Sequence, residues 1–135
     1  MENNRLNKLT SQARRESYSL NHDYIGTEHL LLALMKTGSI ASKALISQGA
    51  NYDLFRSIII NNIGKGNSQR PATEFSSKVR RVFERARLIA QDRNSVTTGE
   101  EDVLLAIIED DESFTNIMFL LSGVETVSYT HLTLP

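Results

Sequence analysis

His22, Glu28 and His29 are residue types that bind zinc or exchange protons, and they lie close together near the N-terminus. Zinc needs three or four ligands held around one point. The chain has three histidines and no cysteine, so a third convincing ligand is missing. Neighbouring positions on a helix also point in different directions, which should separate Glu28 from His29. No nucleophile stands in a readable arrangement with them, so a hydrolase centred on these residues has little support. The expectation is no metal, no catalytic residue, and a packing or hydrogen-bonding role for His29. A second charged set, Lys78, Arg80, Arg81, Arg85, Arg87 and Arg93 against Glu84 and Asp92, could bind phosphates of nucleic acid. Only Phe83 interleaves those cations, and no helix-turn-helix signature follows, so a solvated face or a protein-contacting face is the simpler reading. Glu109-Asp110-Asp111-Glu112 reads as a solvated acidic turn that could also pair with a basic partner.

Elements must hold these residues in place, and composition limits which ones. The 135 residues suffice for one domain with a single core. Hydrophobic residues at 40% and charged residues at 23% are ordinary globular usage, which argues against disorder along the whole chain. A net charge of −1 gives no global field toward nucleic acid or a membrane. No apolar run approaches the ~18–20 residues that span a bilayer, and no signal peptide is visible. The lack of cysteine excludes disulfides and thiolate metal sites and is compatible with a cytoplasmic setting.

Helical spacing recurs throughout. Leu6, Leu9 and Ala13 predict a helix over about 3–19. Thr27 is a good N-cap for the apolar run Leu30 to Met35, with Glu28 suited to the helix dipole. Ser39 caps a third helix and Gly49 stops it; a fourth runs from about 51 to 63, with Leu54, Phe55, Ile58 and Ile59 inward. Residues 64–74 carry Gly, Asn, Ser and Pro without periodicity and read as a linker. Phe75, Val79, Val82, Phe83, Ala86 and Ile89 mark a further helix. Thr98 and Glu101 have capping-box spacing before Val103 to Ile108. A last helix carries Phe114, Ile117, Met118 and Leu121 and stops at Gly123. Strand alternation is absent, so the fold class is all-α, with about seven to eight helices.

Shifting the chain by 73 residues matches it to itself. Ala13 falls on Ala86, Arg14 on Arg87, Asn21 on Asn94, Gly26 on Gly99 and Glu28 on Glu101. Leu31-Leu32-Ala33 falls on Leu104-Leu105-Ala106, and one inserted residue brings Gly49 onto Gly123. The domain, residues 1–124, is therefore two copies of one helical unit: repeat one 3–63, linker 64–74, repeat two 75–124. Each unit alone buries little apolar surface, so the two should pack across a pseudo-two-fold. Residues 125–135 lack periodicity. They resemble translated adapter read-through and are set aside from the fold.

Gly26-Thr27-Glu28-His29-Leu30-Leu31-Leu32, continued by Gly38 to Leu45, resembles the G-T-E-H-[IL]-L-L signature of the Clp N-terminal repeat in its ClpC-like branch. The resemblance covers residues 5 to about 124. It is weaker in repeat two, where Thr98-Gly99-Glu100-Glu101-Asp102 stands in place of G-T-E-H. It implies a bacterial, cytoplasmic docking domain placed before an ATPase ring. The implied partners are adaptor proteins, protein substrates, the ATPase modules of a longer protein and their peptidase; membrane and nucleic acid are not among them. No G-x-x-x-x-G-K-[ST] loop occurs, and no cofactor is implied for this chain. The resemblance further implies a phosphoarginine site at the start of each buried helix. There free N–H groups and the helix dipole would hold the phosphoryl group and a carboxylate the guanidinium. Gly26, Thr27 and Glu28 match the first site. At the second only Gly99 and Glu101 match, and the acids Glu100 and Asp102 should weaken anion binding. The alternatives are a free-standing Clp accessory protein and a small all-α DNA-binding protein.

Overall fold

A computed structural model describes residues 6–126. Seven helices occur among them: α1 (Asn7–Ser19), α2 (Thr27–Leu34), α3 (Ile40–Ser47), α4 (Tyr52–Asn62), α5 (Ser77–Asp92), α6 (Glu100–Glu109) and α7 (Phe114–Ser122). No strand forms among these residues; one isolated parallel bridge joins Ile25 to Phe75. The N-terminal end of the expected first helix, residues 3–5, and most of the excluded tail, residues 127–135, lie outside the described residues.

The repeat is visible in the backbone. Asn21 and Asn94, 73 positions apart, are the only non-glycine residues with positive φ among those described, at 60° and 61°. Asn tolerates this left-handed conformation better than most side chains. Ser39, Asn51 and Ser76 cap α3, α4 and α5 by accepting from the backbone N–H three residues on, which satisfies one orphan donor each. Gly123, at φ 78°, ends α7.

Each half packs its long helix on its apolar one, α1 on α2 and α5 on α6. α2 is buried along its whole length, which suits a helix that is apolar on nearly every side. The halves then join through α2 against α6 and α7, α3 against α6, and α4 against α7. Phe55 on α4 meets Phe119 on α7 edge to face, with ring centroids 6.0 Å apart. Leu54, expected inward, is instead 42% exposed, because α4 covers its neighbours along Phe55, Ile58 and Ile59. Ile117 and Leu121 are likewise exposed on α7, whose inward face is Thr115, Met118 and Phe119. Among the described residues no helix is long and apolar enough to cross a membrane.

Candidate functional site

The Ile25–Phe75 bridge places the starts of α2 and α5 side by side, and the Ser76 N–H donates to the Ile25 carbonyl at 2.9 Å. A cavity of about 370 Å³ lies at this junction. Tyr24, Thr27, Glu28, Ser76, Ser77 and Lys78 are among its lining residues, with Ile63 and Phe114 as apolar walls. Two helix starts therefore face one space. The His29 N–H donates to the Gly26 carbonyl and the Val79 N–H to the Ser76 hydroxyl, which leaves the N–H groups of Thr27, Glu28, Ser77 and Lys78 without an intrahelical acceptor, and both dipoles present their positive ends there.

The three residues matched in the first repeat, Gly26, Thr27 and Glu28, all border this cavity. Their roles differ from the expected ones in one respect. Gly26, not Thr27, is the N-cap of α2, and Thr27 is the first helical residue. The reason is His29, whose Nδ1 accepts the Gly26 N–H at 2.8 Å and sets the helix start one residue earlier. The Thr27 side chain is then left buried without a hydrogen bond to any described residue. Glu28 is buried, and its Oε2 accepts from the Tyr24 hydroxyl at 2.5 Å. Burial and then this carboxylate push the Tyr24 phenol well above its ordinary range. A Cβ on Gly26 would stand 2.7 Å from Glu28 Oε1 and 2.8 Å from the Tyr24 ring, so only glycine leaves room for that pair.

His22, Glu28 and His29 do come together: one ligand atom of each lies within 4.8 Å of the others. The third group judged missing is His22, which the α1–α2 turn brings back against His29. The ring nitrogens are nevertheless committed. His29 Nδ1 accepts from Gly26, so its Nε2 carries the proton and donates to His22 Nδ1 at 2.7 Å. His22 Nε2 then donates to the Gly64 carbonyl at 2.7 Å. This single direction of donation uses both rings in neutral form and leaves no lone pair for a metal. Burial, and then His22, lowers the His29 pKa from 6.5 to about 3. The histidines tie the start of α2 to the start of the linker.

At the second helix start the expected capping box of Thr98 and Glu101 is replaced by Gly99 and Asp102. The Asp102 carboxylate accepts the Gly99 N–H at 2.9 Å, just as His29 does at Gly26. Asp102 is wholly buried, and Arg93 answers its charge through Nε at 2.9 Å and Nη2 at 2.7 Å. Arg93 also reaches Glu101 at 3.5 Å. Glu100 turns the other way and accepts from the Thr37 and Ser39 hydroxyls of repeat one, the latter at 2.7 Å. The acids of this start are thus spent on the protein's own cations and hydroxyls.

The basic face of α5 is partly neutralised. Arg85 pairs with Glu109 at 2.7 Å and Arg87 with Glu84 at 2.5 Å, which weakens the nucleic-acid reading. Sequence reasoning missed Tyr24, Ser77 and Lys78 as site residues. The available signal was Ser76, a helix N-cap placed directly after Phe75.

Fold and site together define a class: an all-α tandem-repeat domain with a cavity where two helix starts meet. The profile of the Clp repeat N-terminal domain matches residues 2–119, and the chain belongs to that family. It is 33% identical over 109 residues to the ATP-dependent Clp protease ATP-binding subunit ClpC of Staphylococcus epidermidis, covering 80% of this chain and 13% of that protein. It is 30% identical over 109 residues to the Bacillus subtilis negative regulator of genetic competence ClpC/MecB, covering 80% and 14%. The chain thus spans about an eighth of the length of these relatives and matches their N-terminal region. Among solved structures it is similar to the N-terminal domain of the chaperone ClpD from Arabidopsis thaliana, with TM-score 0.78, 21% identity, and 96% and 90% of the two chains covered. The ClpV N-domain in complex with a VipB peptide has TM-score 0.67 and 19% identity, with 93% and 78% covered.

Proposed function

We propose that this domain docks adaptors and protein substrates for a Clp-type ATPase and that the cavity between the α2 and α5 starts receives phosphorylated arginine. The observation that carries the reading is the meeting of two chemistries in the lining of one small cavity. Thr27, Ser77 and Lys78 bring to it two helix starts, two hydroxyls and an ammonium. These suit a phosphoryl group. Glu28, oriented by Tyr24, brings a carboxylate, which suits a guanidinium. Arginine alone would leave the donors unfilled, and phosphate alone would meet the carboxylate. The adaptor-docking role is supported by family membership and by the peptide-bound ClpV relative. The ATPase modules and peptidase would come with the longer protein that the ClpC relatives represent. The histidine tie and the clasped second start give no support to a hydrolase or to a second equal site at Gly99 and Glu101.

Calorimetric titration with free phosphoarginine, against arginine and phosphate controls, tests this. One equivalent should bind, and Glu28→Gln, which can still accept from Tyr24, should lose it while keeping its helical circular dichroism. Two equivalents would mean that the Gly99 start also reads the mark. No binding to the folded domain would reduce the function to docking without the mark.

A further inference from the structure

The linker is held along one edge only. Every second residue from Gly64 to Ser68 bonds to the α1–α2 turn. The Gly64 carbonyl accepts from His22 Nε2 at 2.7 Å, and the Gly66 and Ser68 N–H groups donate to the Leu20 and Asn21 carbonyls, both at 2.9 Å. The Asn21 side-chain amide donates in return to the Ser68 carbonyl at 3.1 Å. A Cβ on Gly66 would collide with the Asn21 carbonyl, so glycine permits this close approach. In extended chain, successive residues turn their N–H and carbonyl groups to opposite sides. The backbone groups of Lys65 and Asn67 accordingly have no hydrogen-bond partner among the described residues. Both residues are exposed, whereas Gly64, Gly66 and Ser68 are half-buried.

This unpaired edge stands beside the first cavity. A cleft of about 570 Å³ is lined by the turn from Asn21 to Tyr24 and by the linker up to Ser68. It shares Tyr24 and Ile63 with the cavity at the helix starts. Asp23 and Lys65 bring opposite charges to it, so its side chains favour neither sign in a ligand. What it offers without a partner is main chain, and a buried or bound backbone group needs one.

We infer that Lys65 and Asn67 bind the main chain of a polypeptide carrying a phosphorylated arginine, as a sheet edge takes an added strand, whatever the flanking side chains. The inference rests on the phosphoarginine reading of the first cavity. An extended chain advances ~3.3 Å per residue, so the residues next to an arginine anchored there pass Tyr24 and Ile63 and reach the linker within about two or three positions. Their own N–H and carbonyl groups then meet those of Lys65 and Asn67. Main-chain bonds of this kind give affinity without reading side chains.

Phosphoarginine peptides with alanine, serine or leucine flanks should be titrated into the whole chain. Alanine peptides in which each flanking amide in turn is replaced by an ester complete the set. The three sequences should bind alike, and all tighter than free phosphoarginine. At least one ester, which lacks the N–H and is a poorer acceptor, should bind roughly two- to tenfold weaker than its parent amide, the range of one hydrogen bond. Asn67→Pro removes an unpaired N–H and no internal bond. It should weaken the alanine peptide by a similar factor and bind free phosphoarginine as before. The esters make the same test on the unaltered protein. Esters that all match the parent amide, or peptides no tighter than free phosphoarginine, would overturn the inference and leave the first cavity's reading intact. Failure of free phosphoarginine and of every peptide to bind the folded chain would overturn both together.

Discussion

The starts of α2 and α6 share a backbone and differ in chemistry. Both N-caps are extended glycines, at φ −102°, ψ 178° and φ −106°, ψ 173°. In both the third helical residue takes the cap N–H, His29 in one and Asp102 in the other. His29 does this as a neutral ring, so it adds no charge at the start of α2. Asp102 does it as a buried acid, which must be paired, and Arg93 is drawn in to do so. The residue at the third helical position thus decides whether the start carries a neutral cap or a charged one that needs a cation. At the second start Asp102 and Arg93 close on each other within repeat two, and Glu100 reaches across to Ser39 of repeat one.

Removing Arg93 should break the comparison most strongly. Arg93→Ala leaves Asp102 buried without its cation and should cost about 3 kcal/mol of stability, read as a lower denaturant midpoint. Arg93→Ala with Asp102→Asn should recover most of that loss, because the uncompensated charge is gone. If Arg93→Ala is silent, the clasp is not structural and the contrast between the two starts is overstated.

The next effect concerns the seam between halves. Glu100 accepts two hydroxyl donors at the start of α3. Glu100→Ala should destabilise by about 2 kcal/mol, since hydrogen bonds to a charged acceptor are lost together. Amide exchange should rise first around residues 37–42. Exchange rising equally everywhere would show that Glu100 holds the whole fold and not the seam.

The smallest effect belongs to the first start and depends on pH. The folded His29 pKa is depressed from 6.5 to about 3. Below pH 6.5 the unfolded chain takes up a proton that the folded chain refuses, so stability falls as pH drops through this window. Near pH 5.5 the loss should be about 1.4 kcal/mol from this residue. His29→Gln, which can still accept the Gly26 N–H, should remove that part of the slope in urea titrations at several pH values. An unchanged slope would mean that His29 titrates normally and that the neutral chain of histidines is not held.

Much of this was legible in the sequence because helix periodicity, glycine stops and Ser or Asn caps are local signals. Ser39 and Gly123 act where the pattern placed them. The 73-residue self-match also carried over, down to the shared positive φ of Asn21 and Asn94. The cap positions at 27 and 98 were misplaced by one residue, because Thr outranks Gly as a cap by propensity while the third-residue side chain decided the start.

Beyond Gly26-Thr27-Glu28, which the resemblance to the Clp repeat signature singled out, the sequence by itself determined an all-α fold, two repeats and their buried helices. Those follow from short-range periodicity and from repetition within one chain. Only the tertiary structure decided that α5 meets α2 there, that Lys78 and Ser77 join the site, that His22 reaches His29, and that Arg93 and Glu100 close the second start. These depend on the angle at which two repeats pack. That angle is set by long-range burial of α2, α6 and α7 against one another, which no local pattern encodes.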